Sequence, residues 1–145
     1  MKKLMYAMLF LLGGLLNMNA QTEYSIVGKW KAVDSNGKDK AIVEIKESQG
    51  VYTGRIISIL DPDDKGKKCE KCPGGDVART YDGLTIIKNM KKEERNKYSG
   101  GTILDPETGK EYSCSIKLVG YSKIEVTGTA QIYLLGKTTT WTKSS

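Results

Sequence analysis

The sequence predicts an all-β protein, an antiparallel up-and-down β-barrel of about eight strands after a cleaved leader. Two observations carry this. Apolar residues recur with period two, as in sheets with one face on a core and one in water, and β-branched residues dominate these runs. Clusters of Gly, Pro, Asn and Asp break the runs at short intervals, and no segment has the periodicity of an amphipathic helix.

Residues 1–20 are set apart by composition. Lys2 and Lys3 precede an uncharged, mostly apolar run over residues 4–16, and the small residue Ala20 stands before Gln21. This is the layout of a secretory signal peptide, and the run is too short for a comfortable span, which needs roughly 20 apolar residues. No cysteine follows the run, so a lipoprotein anchor is not expected. Residues 21–145 are then a single barrel domain, expected in the periplasm or outside a bacterial cell, with no membrane span in the mature chain. Losing Lys2 and Lys3 lowers the net charge from +6 to +4, too little to signal a nucleic-acid partner. The chain has no histidine, which excludes His-dependent triads and imidazole acid–base catalysis. GxSxG, HExxH and phosphate-binding glycine loops are likewise missing, so no enzyme activity and no cofactor is expected.

The strands are predicted at 28–34, 41–48, 51–60, 84–90, 97–104, 110–119, 122–128 and 138–143. Trp30 and Ala32 open one face of the first. Ala41, Val43 and Ile45 define the inward face of the second, Tyr112, Cys114, Ile116 and Leu118 that of the sixth, and Ile124 and Val126 that of the seventh. Asp34-Ser35-Asn36-Gly37 and Gln49-Gly50 supply turns, and Asp105-Pro106-Glu107-Thr108-Gly109 carries Pro and Gly where a tight hairpin needs them. Gly100-Gly101 inside a strand pattern reads as a bulge. Residues 91–97 are charged all round and read as a hairpin tip.

In a meander, connections alternate between the two ends. One end collects 35–40, 61–83, 105–109 and 129–137; the other has 49–50, 91–96 and 120–121. A loop of 23 residues is long for a compact domain unless it is functional, so a site is expected at the long-loop end.

Cys69 and Cys72 form a CxxC inside that loop, and Cys114 lies just past the 105–109 turn. The pair closes on itself, bridges to Cys114, stays reduced or binds metal. A structural staple is preferred for an exported chain. Three cysteines fall short of the four ligands of structural zinc, and Pro73-Gly74-Gly75 stands where a thioredoxin-like site has a helix. Asp61-Pro62-Asp63-Asp64 fails the calcium-loop register, with Lys65 fifth and Cys72 twelfth, and reads as a solvated turn. Trp30 and Trp141 sit on the first and last strands, neighbours in a closed barrel. With Tyr52 and Tyr112 they are the candidate ligand-binding residues, alongside the plainer reading of Trp30 as a core plug.

Several blocks together resemble a known family. Gly28-x-Trp30 is similar to the opening signature of lipocalin and avidin-type barrels. Gly54-x-Ile56, Gly83-Leu84-Thr85-Ile86-Ile87, Gly100-Gly101-x-Ile103-x-Asp105-Pro106-Glu107, Val126-x-Gly128 and Leu135-Gly136-x-Thr138-x-Thr140-Trp141 follow in order. The set resembles the bacterial exported family catalogued as domain of unknown function 2147, over nearly all of the mature chain. The resemblance implies a small lipocalin-like barrel of the cell envelope and no transferable activity. It also implies an arginine near the C-terminus, packed on the first-strand tryptophan. Lys143 stands there instead, and an ammonium stacks less well than a guanidinium, so that brace does not follow from the sequence.

The leading expectation is thus a non-enzymatic barrel that takes a small amphipathic or hydrophobic ligand at the long-loop end. A protein–protein module with a filled core is the second reading, and a CxxC-based redox or metal protein the third.

Overall fold

The computed structural model describes residues 24–132 and 136–145. The predicted leader and Leu135 lie outside the described residues. The strands are β1 (Gly28–Val33), β2 (Asp39–Ser48), β3 (Val51–Ile59), β4 (Thr85–Glu94), β5 (Lys97–Leu104), β6 (Glu111–Val119), β7 (Lys123–Ile132) and β8 (Gly136–Lys143). Each pairs antiparallel with the next, and β8 returns to β1 through Trp30 opposite Lys143 and Lys31 opposite Thr142. The chain is a closed eight-stranded barrel, as predicted.

Closure turns every strand's apolar face inward. Trp30, Val43, Ile56, Ile87, Ile103 and Trp141 have no surface that a water molecule can touch. They belong to one cluster of buried side chains drawn from all eight strands. An eight-stranded barrel is narrow enough for side chains to occupy its interior, and the buried cluster lies there. Each Ile- or Val-sized side chain buried there contributes about 1.5–3 kcal/mol. The described strands and their core cluster fall within residues 26–143.

Where β5 pairs with β6, the strand carries the predicted bulge. Gly100 adopts a φ of +79°, and β5 spends one residue more than β6 between Tyr98 and Gly101. A Cβ on Gly101 would overlap the Lys88 carbonyl and the Met90 side chain.

Two strands run well past their expected ends. β4 runs on to Glu94, so the tip shrinks to the turn Arg95-Asn96, and β7 runs on to Ile132, opposite Gly136. In the first hairpin Glu94 pairs with Lys97, and Ser99 donates a 2.6 Å hydrogen bond to Glu93. In β4, ladder hydrogen bonds carry the strand past the edge of the core through exposed residues 91–94, where no apolar alternation marks it.

Candidate functional site

The loop between β3 and β4 folds over one end of the barrel and is held there at three places. The first is ionic. The backbone N–H groups of Leu60 and Asp61 donate to the Lys40 carbonyl on β2, at 2.9 and 3.2 Å. Pro62 starts a 3-10 turn, Pro62–Asp64, which Asp61 caps by accepting from the Asp63 N–H. The turn delivers two carboxylates to one ammonium: Lys40 Nζ lies 2.6 Å from Asp61 Oδ2 and 2.6 Å from Asp64 Oδ2. Lys67 reaches the other oxygen of Asp64 at 3.0 Å, and Lys38 that of Asp61 at 3.2 Å. Lys40, Asp61 and Asp64 are 4%, 2% and 0% exposed. The Lys40 ammonium, aided by the Asp63 N–H and Lys38, holds the Asp61 carboxyl far below the usual carboxylate range against the opposing pull of burial.

This overturns the solvated-turn reading of residues 61–64. No apolar pattern could reveal it, because the three buried charges meet only when β2 and the loop are brought together. The available signal was charge complementarity, with Lys38 and Lys40 on one segment and Asp61, Asp63 and Asp64 on another.

The second hold is the CxxC knuckle. Cys69 and Cys72 are joined in a disulfide, with 5.4 Å between their Cα atoms. Around it, the Cys69 N–H donates to Arg79 and the Ala78 N–H to the Cys69 carbonyl, both at 2.8 Å. The knuckle rests on the turn between β5 and β6, where Cys69 Sγ lies 3.1 Å from the Pro106 carbonyl oxygen. Gly109 has a φ of +73°, and a Cβ there would overlap the Lys71 carbonyl. The third hold is a surface chain of ion pairs, Arg79–Asp76–Lys88–Glu111, at 3.3, 3.8 and 3.4 Å.

Cys114 corrects the bridged reading. It faces inward from β6, opposite Gly101 and Gly128, as a free thiol that burial pushes up to about 12. The wall of the barrel holds it away from the knuckle, whose sulfurs satisfy each other. With Cys69 and Cys72 cross-linked, neither offers a thiolate to a metal.

Between knuckle and turn lies a groove of about 490 Å³. Its floor and sides include Tyr81 and Pro106, and Lys67, Lys68 and Lys71 stand around it with Glu70 and Glu107. Tyr81 is almost wholly buried, so the loop presents a firm aromatic base under a basic rim.

The four predicted aromatics do not gather around one cavity among the described residues. Trp30 and Trp141 are buried, their ring N–H groups donating to the Ile26 carbonyl at 2.8 Å and to Thr139 Oγ1 at 3.1 Å. Tyr52 is half-buried near the β2–β3 turn, its ring edge-to-face with Tyr98 at 4.9 Å. Burial first, and Tyr98 second, raise its phenol above the ordinary value. These three lie toward the tight-turn end, and half-buried Tyr112, the second residue of β6, lies toward the lidded end. Lys143 does reach Trp30, with Nζ 5.7 Å from the ring centroid, but lies closer to Tyr121 at 4.6 Å.

Comparison with known proteins agrees with this architecture. A bacterial family profile, described as uncharacterized protein conserved in bacteria (DUF2147), matches residues 28–143. No curated protein matches the chain. A solved structure of the Helicobacter pylori protein HP1028, described as belonging to the lipocalin family, is similar in fold. It shares 24% identity over 84% of each chain, with a TM-score of 0.70.

Proposed function

The chain belongs to the bacterial family DUF2147, and from that premise we propose an exported, non-enzymatic barrel that binds a small amphipathic ligand at its lidded end. The observation that carries this reading is the groove of about 490 Å³ between the disulfide knuckle and the β5–β6 turn. Its size and mixed lining suit a small molecule with an apolar body and an anionic group. The apolar part would lie against Tyr81 and Pro106, and the anionic group would meet Lys67, Lys68 and Lys71. Anchoring by buried ions and a disulfide keeps the groove formed before any ligand arrives, which lowers the ordering cost of binding. Trp30 and Trp141 serve in this reading as core, and Tyr112 as support beneath the lid. Export rests on the charged and apolar pattern of residues 1–20.

The amphipathic anion 8-anilinonaphthalene-1-sulfonate tests the reading. The folded barrel is expected to enhance its fluorescence saturably, and a Lys68→Glu, Lys71→Glu double variant is expected to weaken binding at least about tenfold, as lost charge contacts of about 1.5–3 kcal/mol imply. Lack of binding to the folded chain, or binding indifferent to the charge reversal, would defeat it. The apolar cluster inside the barrel favours a second reading, a protein–protein module whose outer surface does the work. That reading gains if the groove proves inert to amphipathic anions.

A further inference from the structure

Large apolar side chains left in water are not scattered over this barrel. The exposed ones among the described residues are Tyr24, Val27, Val77, Val119 and Tyr121, and all but Val77 lie at the tight-turn end, opposite the lid. Tyr121, at 62% exposure, projects from the β6–β7 turn and meets Tyr24 edge-to-face at 5.5 Å. Lys143 Nζ sits 4.6 Å above the same Tyr121 ring. Exposed Lys123 is opposite Val119 in the β6–β7 hairpin, and exposed Lys117 lies two residues before Val119 on its outward face. Glu125, half-buried opposite Lys117, is the acidic neighbour on that hairpin. The result is an aromatic tip ringed by ammonium groups, on the part of the molecule that the ligand groove leaves unused.

We propose that this end docks reversibly on an anionic lipid surface. Tyrosine rings, apolar in body and polar at the hydroxyl, favour the boundary between water and hydrocarbon. Lysines extend their charges to headgroups while their stems cover apolar surface. The excess of Lys117, Lys123 and Lys143 over Glu125 is complementary to anionic headgroups, each lysine contributing a tenfold-or-less gain near a charged membrane. A turn tip carrying Tyr121, with Tyr24 from the segment before β1 against it, is a projection rather than a groove, a shape that a soft, flat bilayer accepts without a matching pocket. Docked in this way, the barrel would present its lidded end to the aqueous side.

Vesicle sedimentation of residues 21–145, which carry the described strands, tests the proposal without interference from the leader. The chain is expected to pellet with phosphatidylcholine vesicles containing phosphatidylglycerol, to stay in solution with phosphatidylcholine alone, and to be released by salt. Lys117→Gln and Lys123→Gln are each expected to weaken retention about fivefold, and Tyr121→Ser to weaken it on the same vesicles. All three positions are exposed, so an unchanged thermal midpoint confirms an intact barrel. Failure to pellet with the anionic vesicles overturns the proposal, as does retention unaffected by Lys123→Gln and Tyr121→Ser. Failure to pellet, combined with self-association that Tyr121→Ser abolishes, would assign the patch to a second copy of the chain.

Discussion

Lys40 is the residue on which the lid depends most. It sits between two carboxylates in a site closed to water, where removing one partner strands the others. Lys40→Met is expected to cost about 3 kcal/mol, read as a lower urea midpoint, and adding Asp61→Asn and Asp64→Asn should restore part of the loss. Asp61 also sets an acid limit. Its folded carboxyl titrates below the unfolded value of 3.8, so its contribution is complete above that value and lost as the pH falls from there through its own lower one. The urea midpoint should therefore drop on acidification, less steeply in Asp61→Asn. Cys114 sets an alkaline limit of opposite sign. An unfolded thiol ionises near 9.0 and the folded one near about 12, so unfolding releases a proton between them and stability falls as the pH rises above 9.0. Its scarcity of thiolate should slow alkylation of the folded chain on the order of a thousandfold relative to the unfolded chain.

At the scale of elements, the question is how the long loop between β3 and β4, with so little regular structure, stays in place. The answer lies in its attachments to β2, to the β5–β6 turn and to Lys88 on β4. The disulfide closes only a tight ring, worth about 2 kcal/mol by chain entropy, so its main effect is on the shape of the knuckle. Reduction should speed amide exchange across residues 66–82 while the strands stay protected. Gly109→Ala should do the same from the other side of the contact, costing about 1–2 kcal/mol through a left-handed backbone and a clash with Lys71. The strands themselves were legible in advance because alternation such as Ala41, Val43, Ile45 directly encodes which face is buried. The lid was legible only in part. The length of residues 61–83 and the CxxC marked it, but the burial of Asp61 and Asp64 depends on Lys40, twenty-one and twenty-four residues earlier in the chain. Charge pairing across such a distance leaves no periodic trace, and the charged arm of β4, held by its ladder bonds to β5, leaves none either.

As a whole, the molecule separates its features by position. The interior, including Trp30 and Trp141, holds the fold; one end carries a clamped lid with a basic groove, and the other an aromatic, basic tip. A closed barrel suits this division because it has no free sheet edge to protect, which leaves both ends available for loops. In the sequence, a first-strand and a last-strand tryptophan fit a core plug and a ligand wall alike. Their fully satisfied indole N–H groups and lack of water contact now place them in the core. The central claim, that small amphipathic ligands meet the lid and not the interior, is tested most directly by amide and indole NMR shifts during titration with 8-anilinonaphthalene-1-sulfonate. The account predicts shifts at residues 66–71, 81 and 107 with both indole N–H signals stationary. Movement of the Trp30 and Trp141 indole signals, with residues 66–71 unchanged, would contradict it.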